Sequence, residues 1–183
     1  MNIIEKSKKH AIEAHQSINQ KYDEHEYEHH LEMSDNVGLR FIYLIPEKDR
    51  DDVRGGIWSH DVIEDVSSIT FNDLKKVTNE RVADIAYACT NEKGKTRAER
   101  ANNKYYRGIR RTKYATFVKL CDRIANIEYS LSKKSRMFTM YKKEHSHFRS
   151  KLDSLYFRII ARIFRSEPDY TDMWNYLDEL LRK

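Results

Sequence analysis

The chain has 183 residues, 39% of them hydrophobic, and a formal net charge of +5 at pH 7. That length is typical of one domain and leaves room for a sizeable core, and no apolar run approaches the roughly 20 residues that a bilayer-crossing helix needs. With 5 Gly and 2 Pro there are too few turn residues for a many-stranded sandwich or barrel, so a single all-α domain of long helices is expected over residues 1–183.

Ile3, Ile4, Ala11, Ile12, Ala14 and Ile18 recur at near-helical spacing, which predicts a first helix over residues 2–20. The polar start Met1-Asn2-Ile3-Ile4-Glu5-Lys6 has no signal-peptide core, and a cytoplasmic location is expected. The charged, histidine-rich run from Lys21 to Glu28 reads as a loop. A second helix runs from His30 to Ile45 with Leu31, Val37, Phe41 and Leu44 inward, stopped by Pro46. Asp51 to Asp65 forms a third, striped by Val53, Ile57, Trp58 and Val62. Thr70 stands three residues before Asp73, the spacing of a capping box that starts a new helix, and a long helix follows from about Val77 to Thr90. Gly94 and the basic stretch behind it mark a loop, with helical character resuming from Tyr105 to Ile109. Tyr114 to Tyr129 is a core helix, apolar on one side through Phe117, Leu120, Ile124 and Ile127. Residues 136–165 and 170–182 supply closing helices, parted at Pro168. Cys89 and Cys121 lack any Cys-x-x-Cys spacing and are expected as buried thiols without a chemical role.

The densest chemistry lies in Ser59-His60-Asp61-Val62-Ile63-Glu64-Asp65. On one continuous helix, Asp61 and Asp65 would share a face one turn apart, with His60 and Glu64 on the neighbouring face. Taken alone, the heptad serves a structural role, as an N-cap or a surface ion-pair cluster, as readily as a catalytic one. Asp122 falls in the middle of the predicted core helix, where an isolated charge is costly and an ion pair or a bound metal relieves it. His30 begins the second helix, while His25 and His29 read as solvated. Imidazole and carboxylate donors together suit manganese, iron, zinc or a similar divalent ion.

The order His30, His60-Asp61, Asp122 resembles the HD-domain metal-dependent phosphohydrolases, which are helical bundles with the metal site between core helices. Within that superfamily, Tyr27-Glu28-His29-His30 is similar to the Tyr-x-x-His motif of RelA/SpoT hydrolase domains. His60-Asp61-Val62-Ile63-Glu64-Asp65 is similar to their His-Asp-x-x-Glu-Asp signature, and the run Val118 to Asn126 to their third motif. The likeness spans roughly residues 10–145, leaving closing helices over about 146–183. It implies that His30, His60, Asp61 and Asp122 hold one divalent cation, usually Mn²⁺, and that Glu64 and Asp65 orient or deprotonate the attacking water. It further implies that Asn126 contacts the ribose side of a nucleotide. The implied reaction releases pyrophosphate from the 3′ position of guanosine tetra- or pentaphosphate, (p)ppGpp. The chain departs from the pattern where Leu31 replaces a proline, Val66 a common threonine, and Glu24 and Glu26 a glycine and a proline.

A substrate with several phosphates needs cations beyond the metal. Residues 93–113 hold nine Lys or Arg against Glu99 as the one acidic residue. Lys95, Arg97, Arg100 and Lys104 are the expected contacts, with Lys93, Arg107 and Arg110 in the same run and Lys21 beside the first motif. A solvated basic loop is the competing reading. The length leaves no room for a synthetase module, so breakdown of a small-molecule nucleotide is expected, with no membrane involvement. Two other readings stand beside it. One is a different HD-superfamily phosphatase acting on a nucleoside monophosphate, NADPH or another nucleotide. The other is a nucleic-acid-binding helical module whose Tyr105 and Tyr106 stack bases, which leaves His30, His60, Asp61 and Asp122 without a purpose.

Overall fold

The computed structural model describes residues 1–154, 156, 157, 159, 163 and 167–183. Its helices are α1 (Ile3–Ser17), α2 (Glu28–Phe41), α3 (Arg50–Ser59), α4 (Val62–Asp65), α5 (Phe71–Val77), α6 (Glu80–Cys89), α7 (Arg97–Arg100), α8 (Asn103–Arg111), α9 (Ala115–Ser132), α10 (Arg136–Leu152) and α11 (Thr171–Arg182). Between α1 and α2 the expected loop contains a two-residue antiparallel ladder, β1 (Lys21–Tyr22) with β2 (His25–Glu26), closed by Asp23 in the left-handed region at φ 56°. No helix among the described residues is long and apolar enough to cross a membrane.

The bundle is arranged around α9, which touches α2, α3, α6, α8, α10 and α11. Phe117, Leu120, Ile124 and Ile127 are fully buried, as their spacing predicts. Burial, not capping, holds this helix. Its N-cap Tyr114 is left-handed at φ 67° and offers no side-chain cap, a loss of about 1 kcal/mol, whereas each buried aliphatic or aromatic residue returns about 1.5–3 kcal/mol. The stripe of Val53, Ile57 and Trp58 on α3 and Val62 on α4 is also buried, and Trp58 and Val62 join Ala11 and Leu31 in a smaller cluster. Cys89 and Cys121 are buried free thiols.

Three expected boundaries move for local reasons. The helix expected from Val77 to Thr90 starts at Glu80, because the side chain of Asn79 accepts from the Val82 N–H and caps a fresh helix. The preceding helix is opened by the Thr70 and Asp73 capping box, as the spacing predicts. The helix expected from Asp51 to Asp65 is broken at His60-Asp61, for a reason that belongs to the site. At the C-terminal side α10 ends at Leu152; residues 155, 158, 160–162 and 164–166 of the expected 136–165 segment lie outside the described residues.

The faces of α3 and α6 meet at a glycine. A Cβ built on Gly56 would stand 2.7 Å from Ile85 Cγ2, so only a hydrogen at this position lets the two helices approach this closely. Gly56→Ala is expected to destabilise the fold by about 1–3 kcal/mol through overpacking, although alanine is the better helix former by about 1 kcal/mol. Urea unfolding reads the change; an unaltered or raised midpoint would show that the two helices are not in close contact.

Candidate metal centre

Three helices deliver the central cluster. His30 comes from the first turn of α2, His60 from the end of α3 and Asp122 from the middle of α9. They are 2%, 0% and 8% exposed, and one ligand atom from each lies within 4.8 Å of the others. His30 Nε2 is 3.4 Å from Asp122 Oδ1, and His60 Nε2 is 3.8 Å from the same oxygen. Asp61 Oδ2 completes the group at 3.4 Å from His30 Nε2 and 3.0 Å from His60 Nε2.

The break between α3 and α4 is what aims His60. The imidazole Nδ1 lies 2.7 Å from the Ile57 carbonyl oxygen. A carbonyl accepts only, so Nδ1 carries the hydrogen and donates it. The carbonyl that would continue the helix ladder is thereby taken by a side chain, and α3 stops at Ser59. Nε2 then faces inward, buried and with no hydrogen-bond partner, because Asp61 Oδ2 sits off the bonding direction. An imidazole with one nitrogen donating to a backbone carbonyl and the other left bare is the usual arrangement of a metal-ligating histidine.

The charges agree. Burial opposes protonation of His60, but the Asp61 and Asp122 carboxylates outweigh it and push the imidazole up to about 9. Burial likewise disfavours ionised Asp61, yet His60 and His30 hold it well below the usual carboxylate range. For Asp122, burial is offset first by Lys119 and then by His60, and its carboxyl is lowered. This cluster of carboxylates demands positive charge at one place. A proton on His60 supplies it in the free chain, and a divalent cation among the same four side chains answers the demand more fully.

A second ring of partners fixes these groups. The Tyr27 hydroxyl donates to Asp61 Oδ2 at 2.6 Å. Lys119 Nζ is 2.7 Å from Asp122 Oδ2, leaving Oδ1 for the imidazole side. Asn126 Nδ2 donates to the Asp122 side chain and, at 3.0 Å, to its main-chain oxygen. Asn126 Oδ1 in turn accepts from the Tyr22 hydroxyl at 2.8 Å, while the Tyr22 ring stacks on His30 at 4.8 Å.

The acidic pair flanks this cluster on α4. Glu64 is clamped by Asn91, whose main-chain N–H and side-chain amide donate to its two oxygens at 3.0 and 2.7 Å. Asp65 Oδ2 accepts from Gln20 Nε2 at 2.8 Å, and Gln20 Oε1 lies 2.7 Å from Nδ1 of buried His15. Burial first, then the charges of Asp61 and Glu64, push Asp65 up to about 6.

A cavity of about 520 Å³ opens above the cluster. His30, Asp61, Asp122, Glu64, Asp65 and Asn126 line it, as do Arg97 and Arg100. His60 stands behind this wall, fully buried. The other expected phosphate contacts do not reach the cavity. Exposed Lys21 is drawn to Glu26 across the β ladder, and Lys104 pairs with Glu92 at 3.0 Å. Exposed Lys95 lies in the turn whose main-chain N–H donates to Glu99. Lys93, Arg107 and Arg110 are also outside the lining, and Arg110 donates to the Lys151 carbonyl at 2.6 Å. In their place the cavity draws on Lys119, Arg123 and Lys143. Lys119 had a legible signal, three residues before Asp122 on the same helix face, and Arg123 is a cation inside a buried helix. Lys143 had none. Tyr105 and Tyr106 are 4% and 5% exposed and belong to the cavity wall, so they offer no open stacking face. His25 and His29 are partly exposed, with rings 4.3 Å apart, and neither lines the cavity.

The raised Asp65 carboxyl has a consequence for stability. Its folded value of about 6 exceeds the ordinary 3.8, so the unfolded chain gives up this proton first. The contribution it makes is complete below 3.8 and is lost as pH climbs through 6. In chelator-treated protein, Asp65→Asn is therefore expected to gain melting temperature relative to wild type as pH goes from 4 to 7. A gap that is flat or narrows over that range would contradict the burial of Asp65 among carboxylates.

No protein-family model matches the chain, and no curated protein is significantly similar to it.

Proposed function

We propose that the chain is a metal-dependent nucleotide phosphohydrolase that resembles the HD-domain enzymes of the RelA/SpoT type and releases pyrophosphate from (p)ppGpp or a chemically similar nucleotide. The observation that carries this reading is the bare, buried Nε2 of His60, aimed among His30, Asp61 and Asp122 beside an acidic pair and beneath a cavity with arginines in its wall. An ion pair between His60 and Asp61 accounts for those two side chains, but not for the convergence of His30 and Asp122 from two further helices on the same point beneath the cavity.

His30, His60, Asp61 and Asp122 are the residues that would hold the cation, for which Mn²⁺ is the expected occupant. When bound, a divalent ion lowers the pKa of a water and neutralises charge building on a phosphoryl oxygen. The chain's own groups do the rest. Asp65, with its carboxyl near 6, is tuned to accept a proton close to neutral pH. Glu64, fixed by Asn91 at both oxygens, positions the nucleophile without moving during reaction. Lys119 neutralises the outer oxygen of Asp122 and stands ready for a phosphoryl oxygen at the same wall. Asn126, oriented by Tyr22, serves the ribose, and the rings of Tyr105, Tyr106 and Tyr141 form an apolar wall for a base.

Two measurements test the reading. Purified protein with Mn²⁺ is expected to release pyrophosphate, and not orthophosphate, from guanosine tetraphosphate in a panel that includes nucleoside mono-, di- and triphosphates and NADPH. Glu64→Gln is expected to lower kcat by about 10²–10⁴-fold. Orthophosphate release from another member of the panel would move the assignment to a different nucleotide, and no turnover on any would reject it. Mn²⁺ at about 100 times its Kd is expected to stabilise the fold by about 2.7 kcal/mol. The double variant His60→Ala, Asp61→Ala should lose both that stabilisation and the activity; a variant that keeps bound metal and turnover would refute the assigned ligands.

A further inference from the structure

The far wall of the cavity contains a second polar cluster that the hydrolytic step does not use. Arg97 on α7 donates through Nε to Glu144 Oε1 at 2.8 Å. Arg123 on α9 donates through both terminal nitrogens to the other oxygen, Glu144 Oε2, at 3.1 and 3.2 Å. Tyr141 packs against both guanidiniums, 5.6 Å from that of Arg97 and 4.5 Å from that of Arg123, and Phe148 stacks on Arg123 at 4.7 Å. Arg123 is 6% exposed, so its place is set by packing and not by solvent.

One carboxylate is an incomplete partner for this pair. Two guanidiniums against one carboxylate leave an unbalanced positive charge inside a wall that also carries Arg100 and Lys143. The hydrogen-bond geometry is also unfinished. A guanidinium fork fits two oxygens, yet Glu144 splits its oxygens between the arginines and gives Arg123 one oxygen for two N–H groups. Arg123 Nε is buried without a partner, which confirms that the carboxylate does not saturate it. A phosphate group brings more oxygens and a charge near −2, and so satisfies both deficits.

Its position separates this cluster from the acidic one. Asp122 and Arg123 are successive residues of α9, about 100° apart around the helix. Asp122 turns to the imidazoles of α2 and α3, and Arg123 to the aromatic rings of α10. Both ends open into one cavity.

We propose that Arg97 and Arg123 form a second anion subsite that takes a phosphate group of the nucleotide other than the one hydrolysed, with Glu144 as the internal carboxylate that the phosphate displaces. The assignment of that phosphate to a substrate rests on the proposed hydrolase function; the anion site itself does not. Glu144 sets the threshold for binding, because an anion must compete with it for the arginines.

Isothermal titration of the full chain in chelator with GDP, guanosine and inorganic pyrophosphate tests this without requiring turnover. GDP is expected to bind more tightly than guanosine. Arg97→Met, at a half-exposed position chosen so that folding is kept and checked by circular dichroism, should weaken GDP about tenfold or more. Glu144→Gln should tighten it severalfold, the opposite of what loss of a purely structural ion pair does. With Mn²⁺ present, Arg97→Met should raise KM for guanosine tetraphosphate more than it lowers kcat. GDP binding that is absent, or indifferent to both substitutions, overturns the subsite even if the enzyme turns over. Pyrophosphate binding as tightly as GDP would assign the cluster to a free anion and overturn its assignment to the nucleotide. Binding that follows the expected pattern with no nucleotide hydrolysed leaves the subsite standing and rejects the hydrolase function instead.

Discussion

A single side-chain hydrogen bond, from His60 Nδ1 to the Ile57 carbonyl, determines the shape of everything around the cluster. It ends α3, turns the chain so that Asp61 joins the imidazoles, and starts α4 with Glu64 and Asp65 at its other end. It also turns the buried Nε2 toward the Asp61 and Asp122 carboxylates, with no hydrogen bond to either. Two imidazoles and two carboxylates turned onto one buried point form a group that could hold a cation.

The second organising feature is α9, one helix that serves both core and cavity. Its apolar residues anchor the bundle, and its polar face lines the cavity in the order Lys119, Asp122, Arg123, Asn126. The helix is rigid because it is buried on most sides. Spacing between the Asp122 carboxylate and the Arg123 guanidinium is therefore set by helix geometry and not by a loop.

Much of this was readable from the order of residues. The stripes of α3 and α9 and the Thr70 cap are local patterns, and local patterns survive into the fold, whereas the convergence of His30, His60 and Asp122 was legible only through the resemblance of their order to a known family. What was not readable depends on contacts between distant segments or on one side chain overriding a helix. Asp51 to Asp65 has unbroken helical periodicity, and only the imidazole of His60 interrupts it. The basic run over residues 93–113 has the composition of a phosphate site, yet Lys95 and Lys104 turn outward while Arg97 and Arg100 turn in. That choice is made by the Thr96 capping box of α7 and by the approach of α10. Lys143 and Glu144 enter the cavity from beyond residue 135, where no motif pointed.

In the proposed site, two imidazoles share one cation with buried carboxylates. Pulsed electron paramagnetic resonance of one equivalent of Mn²⁺ bound to the full chain addresses it at the level of the donor atoms. Couplings from two imidazole nitrogens, reduced to one when His30 or His60 is replaced by Gln, are the expected result. A bound ion with an oxygen-only signature, or couplings that persist in both variants, would contradict the claim.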